Sequence, residues 1–583
     1  MFDLVIKNGR VCDGTGTPSY LADIGVTGDR ITRIRRREDG DTGTLTAKTV
    51  IDAEGMVITP GFIDPHTHVD LSVLMQPAME PYLRQGVTTV VTGNCGYSIA
   101  PQGEETLYFS DMDMEFLEKA GALEEDLNPL IFDRDKGAAA LAGRYGVTLD
   151  WQSFDQFNEK CGALPLGCNM APLIGYSAVR TAVMGKDCLR SASEEELTLM
   201  EQQVRRAMKE GAFGLSTGRD PVYLPGPYAD DGEMRRMLRV VSEYGGIFSS
   251  HTFNYSSAGQ PDRFGGYREM LRQADGIPLR LNISHVHVMN MAETEREAAE
   301  AAQRTLAYFE EMREQGVDLT YDVIPSPSCS DFTQTSFRYF LKPLVLLSGS
   351  RKQLAEDFRR PAFRRRVHEM IDAGSLPILD ADSELCWLQE FVVLRHQNAS
   401  FVGKSMTECA KRLSMGLADT VMTLFAEDPD MVCDMIAPDF SDAVDILCGC
   451  EYAMPCSDGS SYSKETNLTG NDEMPLYPNS MNIGYIPRYL NRYGKDHLER
   501  AVRQASGFVA ERFQIKERGI IKEGYFADLA ILDLARLRSF DEEENPLRDP
   551  EGIKGVVVNG RLVLQDGMLT GAAAGKVLRR PTI

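Results

Sequence analysis

A chain of 583 residues, 43% of them hydrophobic, can bury a large core and is expected to form two or more domains or one barrel with appendages. Its formal charge of −24 argues against nucleic acid or an anionic membrane as partner, since either needs a basic surface. No apolar run reaches the ~20 residues of a membrane span, Met1-Phe2-Asp3-Leu4-Val5-Ile6-Lys7 lacks a signal-peptide pattern, and twelve scattered cysteines suit a reducing compartment, so a cytoplasmic protein is expected, with homo-oligomerisation left open.

The chain opens with strand-like runs, Leu4-Val5-Ile6, Gly9-Arg10-Val11, Ile24-Gly25-Val26, Ile31-Thr32-Arg33-Ile34 and Thr49-Val50-Ile51, and Asn8-Gly9 has the chemistry of a tight turn. Residues 1–57 are few for a stable layer by themselves. Residues 516–583 hold matching runs, Leu529-Ala530-Ile531-Leu532 and Val556-Val557-Val558, the second followed by another turn pair, Asn559-Gly560. The two termini are therefore expected to pack together as one small β-sandwich domain.

Met56-Val57-Ile58 reads as a buried strand ending at the Asp64-Pro65 step, and His66 and His68 follow it. Two residues apart on an extended backbone, their imidazoles project to one side and can reach one cation. Seven more apolar runs alternate with helical segments. They end near Cys95, Gly175, Gly218, His251, His285, Val323 and Asp458. Eight such strands make an α/β fold and close a (β/α)8 TIM-like barrel, here over residues 58–515. The clearest helix starts after Ser193, with Glu196 completing a capping box and Leu197, Met200, Val204 and Met208 forming one apolar stripe. Two insertions interrupt the pattern, a mixed acidic segment near 103–150 and a long, mostly helical one near 325–450.

The polar residues that end these strands form a set: His66, His68, Cys95, His251, His285 and Asp458. Strand ends of a barrel converge on one face. Any one of the six alone could be a packed core residue, but six potential ligands on five strand ends point to a metal. Thiolate with imidazole favours zinc.

These residues carry a resemblance. Pro-Gly-Phe-Ile-Asp-Pro-His-Thr-His at 60–68, Gly-Val-Thr-Thr-Val-Val-Thr-Gly-Asn-Cys-Gly at 86–96, Gly-Ala-Phe-Gly-Leu-Ser-Thr-Gly at 211–218, Ser250-His251, Ser284-His285 and Ser457-Asp458-Gly459 are similar to the amidohydrolase superfamily, within it the N-acyl-D-amino-acid deacylase (D-aminoacylase) group. The cysteine of Asn-Cys-Gly marks that group, where related hydantoinases use a carboxylated lysine. The resemblance implies that Cys95, His251 and His285 hold a tighter zinc, and that His66, His68 and Asp458 form a second, weaker position. It also implies metal-activated water as the nucleophile, with Asp458 as the catalytic general base.

The sequence departs from the group around the substrate. His285-Val286-His287 stands where His-x-Lys is usual, His251-Thr252-Phe253 where His-x-Arg is usual, and Tyr477-Pro478-Asn479 where His-Pro-Arg is usual. Loss of a guanidinium removes a bidentate carboxylate grip. His287, Arg180, Arg219 and Asn479 are the candidate substrate contacts, with Arg488 a further possible cation; ion pairing for the arginines and packing for His287 are the alternatives. The expected function is zinc-dependent hydrolysis of a linear amide, a carbon–nitrogen bond other than a peptide bond, in a small-molecule N-acyl amino acid or related N-acyl amine. The alternative is a cyclic-amide hydrolase of dihydroorotase or hydantoinase type, and a non-catalytic scaffold is the rival from another class.

Overall fold

Strands from both ends of the chain share one nine-stranded sheet in the computed structural model, which describes residues 1–37, 45–104, 106–108, 132–220, 223–252, 264–288, 292, 294–326, 341–376, 379, 388, 391–435, 440–467, 478, 481–540 and 547–581. The termini join where Leu529–Leu532 runs antiparallel to Val57–Pro60, with Ile531 opposite Ile58. Ile6, Ile24, Ile58, Leu529, Ile531 and Val557 meet in one buried cluster, so the apolar faces of the two ends complete each other.

The two Asn-Gly pairs take different roles. Asn559 (φ 46°) and Gly560 (φ 77°) make the expected turn between Ile553–Val558 and Arg561–Gln565. Asn8-Gly9 does not turn the chain. Phe2–Val11 is one continuous strand whose register shifts between Ile6 and Gly9, a bulge with Asn8 at φ 63°. A Cβ on Gly9 would come within 2.3 Å of Ile58 Cδ1, so the bulge brings backbone against a neighbouring strand.

A second expectation is corrected at Gly61. The run Met56-Val57-Ile58 does not lead directly to the histidines, because Val57–Pro60 belongs to the terminal sheet. Gly61 N–H still bonds to Asp528 O at 2.8 Å, while Phe62 N–H bonds to Gly86 O at 3.0 Å, so the chain changes sheets across one residue. A Cβ on Gly61 would lie 2.2 Å from the Thr88 side chain.

Eight parallel strand positions follow: β1 (Phe62–Asp64), β2 (Val87–Thr92), β3 (Asn169–Pro172, resumed as Ile174–Gly175), β4 (Gly214–Gly218), β5 (Ile247–His251), β6 (Arg280–Ile283), β7 (Leu319–Val323) and β8 (Ala453–Pro455). The first half of β3 pairs with β2, which pairs with β1; its second half begins a sheet running in order to β8, every pairing parallel. A parallel bridge between Thr67 and Gly459 links the residues after β1 to those after β8. Ile63, Val91, Phe213, Ile247 and Met454 meet with Val509 and Phe513 of the helix Gly507–Phe513 in one core.

Helix Glu194–Lys209 carries the expected reciprocal Ser193/Glu196 capping box and buries Met200, Val204, Ala207 and Met208. Near 325–450 the described residues are mostly helical, with a core of their own that includes Leu354, Phe358, Val421 and Phe425 and extends to Tyr97, Tyr108 and Tyr223. Among the described residues no helix is long and apolar enough to cross a membrane.

Candidate metal centre

The C-terminal ends of the parallel strands bring the six donors together. His66 and His68 follow β1, Cys95 follows β2, His251 ends β5, His285 follows β6 and Asp458 follows β8. Cys95 Sγ lies 3.2 Å from His66 Nε2, 3.5 Å from His285 Nε2 and 3.9 Å from His251 Nδ1, and the last two nitrogens are 2.9 Å apart. Asp458 Oδ1 is 3.3 Å from His66 Nε2 and 3.0 Å from His68 Nε2. A tetrahedral zinc with ligands at ~2.0–2.3 Å separates its donors by about 3.3–3.8 Å. The spacing and the chemistry of the side chains therefore fit zinc.

The donors resolve into two overlapping groups, His66 with Cys95 and His285, and His66 with His68 and Asp458. Three of these residues are held in left-handed backbone: Cys95 at φ 53°, Asp458 at φ 53° and His285 at φ 30°. Non-glycine residues adopt that region at an energetic cost and cluster there at functional sites.

Burial pushes the Cys95 thiol up, but the imidazoles of His66 and His285 overcome this and hold it well below its usual range. Burial also opposes ionisation of Asp458, and His66, His285 and His68 more than offset it, keeping the carboxylate anionic. Burial disfavours the cationic form of His68, yet Asp458 and Cys95 raise it to about 10. The cluster thus sets two anionic groups among imidazoles whose protonated form they favour, and a cation binding these donors would displace protons.

Nothing in the sequence pattern singles out Asp322, which lies inside β7 and is fully buried. Its Oδ1 is 3.1 Å from His66 Nδ1 and accepts the His285 backbone N–H at 2.6 Å. Asp64 accepts the backbone N–H groups of His66 and Ser457 at 3.1 and 3.3 Å, and burial pushes its carboxyl up to about 7. On another side, the Tyr223 ring lies 4.1 Å from that of His251 and stacks on Tyr97, itself 5.8 Å from His68.

The candidate substrate contacts fare unequally. Arg180 is fully buried; it pairs with Glu233 and donates to the carbonyls of Cys188 and Arg190. Arg219 pairs with Glu269 at 2.6 Å and donates to the carbonyls of Ala229, at 2.9 Å, and Gly226. Both guanidiniums are thereby engaged in holding the protein's own segments. Arg488 donates to Pro325 O. His287 is half-buried, and its Nδ1 has no hydrogen-bond partner among the described residues. Burial, with His285 and His251 beside it, depresses that imidazole to about 3, so it is neutral. Asn479 lies outside the described residues.

Comparison with known proteins places this geometry in context. Residues 49–326 match the model of the amidohydrolase family. The chain is 30% identical to D-aminoacylase of Alcaligenes xylosoxydans xylosoxydans, over 99% of this chain and 98% of that one. It is 27% identical to N-acyl-D-glutamate deacylase of the same organism, over 99% and 96%. A solved D-aminoacylase structure, described for the functional role of its binuclear metal centre, aligns over all of both chains with a TM-score of 0.68 and 26% identity.

Proposed function

The chain belongs to the amidohydrolase family, with D-aminoacylase a relative along its whole length, and from that premise we propose that it is a zinc-dependent deacylase of linear N-acyl amino acids. The observation that carries the reading is the convergence of His66, His68, Cys95, His251, His285 and Asp458, each with a donor atom within 4 Å of that of at least one other. The relatives, named for deacylation of N-acyl-D-amino acids, favour a linear amide of D configuration over a cyclic one.

The residues divide the work. Cys95, His251 and His285 would hold one zinc, and His66, His68 and Asp458 a second, weaker one. Zinc bound there supplies a Lewis acid for the scissile carbonyl and lowers the pKa of water from ~15.7 toward ~7. Asp458, kept anionic beside three imidazoles, takes the proton of the attacking water and delivers it to the departing nitrogen. His287, neutral and with Nδ1 unpartnered, is assigned a hydrogen bond to the substrate, while Arg180 and Arg219 are assigned to the scaffold.

The architecture proposed to support this is a (β/α)8 barrel beginning at Gly61, with a β-sandwich made of the chain before it and of residues 516–583. The parallel order of β1 to β8 and the Thr67–Gly459 bridge support the barrel, and the sheet and core drawn from both termini support their joining in one β domain.

One panel tests the function: amine release from N-acetyl and N-formyl D- and L-amino acids, beside ring opening of hydantoin and dihydroorotate. Turnover of the linear D compounds is expected. Turnover of the rings alone would refute the proposal.

A further inference from the structure

His66 belongs by spacing to both donor groups, with its Nε2 facing Cys95 of one assigned metal position and Asp458 of the other. One carboxylate fixes that direction. Asp322 Oδ1 lies 3.1 Å from His66 Nδ1, which leaves Nε2 facing Cys95 Sγ at 3.2 Å and Asp458 Oδ1 at 3.3 Å. The same Oδ1 accepts the backbone N–H of His285 at 2.6 Å, and the Asp322 carbonyl accepts that of Val286 at 2.9 Å. Those two bonds restrain the turn in which His285 sits at φ 30°.

Asp322 is itself held. Its Oδ2 accepts from Asn282 Nδ2 at 2.6 Å, and that amide also donates to Ser249 Oγ at 3.1 Å. Cys456 Sγ donates to Oδ1 at 3.5 Å. The carboxylate therefore has partners on β6 and in the segments that follow β1, β6 and β8, which together hold it against the imidazole.

We propose that Asp322 is a positioning residue common to both metal positions: it holds His66 with Nδ1 protonated and Nε2 toward the cluster, and it pins the turn that presents His285. The proposal rests on the reading of the cluster as a metal centre. Carboxylates that orient metal-binding histidines affect affinity by about 10–100-fold when removed. Because Asp322 holds His66 of one assigned position and the turn of His285 of the other, its loss should weaken each zinc-binding event of the full chain, not one of them.

The test is a zinc titration of the metal-stripped full-length protein against a chromophoric chelator, repeated with cobalt, whose thiolate charge-transfer and d–d bands report how Cys95 and the imidazoles surround the ion. Asp322→Asn keeps the shape and the oxygen acceptor but not the charge. Each zinc affinity of the wild type is expected to fall by about 10–100-fold in this variant, with altered cobalt bands. Should Asp322→Asn fail to fold, Asn282→Ala, which leaves Asp322 in place but unanchored, is expected to show the same shifts to a smaller degree. A lowered Tm with unchanged zinc affinities and cobalt bands would show a purely structural role and overturn the proposal. Weakening of only one of two wild-type binding events would overturn it as well. A wild-type protein that binds no zinc would overturn the metal reading itself, an outcome separate from wild-type-like binding by the variant.

Discussion

Asp458 sets its Oδ1 3.0 Å from His68 Nε2, joining the residues that follow β8 to those that follow β1, where Thr67 and Gly459 also form a parallel bridge. Burial opposes ionisation of the carboxylate, but His66, His285 and His68 hold it anionic, which suits the proposed role of general base. Asp458→Asn should lower kcat by about 10²–10⁴-fold, the usual contribution of a general base. Zinc at the Cys95, His251 and His285 position should be retained, as checked by metal analysis of the folded variant.

Cys95 is the sulfur donor of the set. Its thiolate lies within 4 Å of three imidazoles, and the left-handed backbone at φ 53° aims it inward. Cys95→Ser replaces a soft ligand by a weak hard one. The variant should bind zinc at least about 100-fold more weakly, beyond the loss expected for a merely supporting residue, and should purify with depleted zinc.

Arg219 tests the division between scaffold and substrate site. Removing its bonds to Glu269, Ala229 O and Gly226 O in Arg219→Ala should reduce stability by about 1–3 kcal/mol, in the range for hydrogen bonds to charged groups. KM for an N-acyl-D-amino acid should stay at the wild-type value. A large rise in KM without loss of Tm would return Arg219 to the substrate site.

Acid sensitivity has a local source in helix Glu194–Lys209. The Arg190 guanidinium and the Ser193 backbone N–H lower the Glu196 carboxyl to about 2. A carboxylate whose folded pKa lies below its unfolded value of ~4.3 stabilises the fold above that value, and the contribution is lost as pH falls from about 4.3 toward 2. Glu196→Gln should therefore melt below the wild type at neutral pH, and the gap in Tm should narrow through that acid window. Ser193→Ala, which removes the reciprocal cap, should cost about 0.5–2 kcal/mol.

Much of the site was legible because its chemistry is written in residue type at strand ends: five short apolar runs stop at His, Cys or Asp, and parallel strands carry such ends to one place. The helix after Ser193 was legible for a similar reason, since its cap and its stripe are both local. What stayed hidden depends on distant partners. Asn8-Gly9 and Asn559-Gly560 share a sequence, yet the first is a bulge because Phe2–Val11 keeps pairing on either side of it. Gly61 marks a change of sheet only because Asp528 and Gly86 stand on opposite sides of it. Arg180 and Arg219 read from sequence as either ion-paired or substrate-facing cations, and their partners Glu233 and Glu269 stand far along the chain. Asp322 read as one polar residue in a strand, and only the assembled interior shows it facing His66.

The measurement that bears most directly on the central claim is amine release from an N-acetyl-D-amino acid by the full chain, followed as zinc is stripped by chelation and then restored while bound zinc is counted. Activity should disappear with the metal and return in proportion to the zinc rebound, and Cys95→Ser should not recover it. Undiminished amine release from the stripped protein, or a fully zinc-loaded protein inert toward every linear N-acyl substrate, would contradict the account.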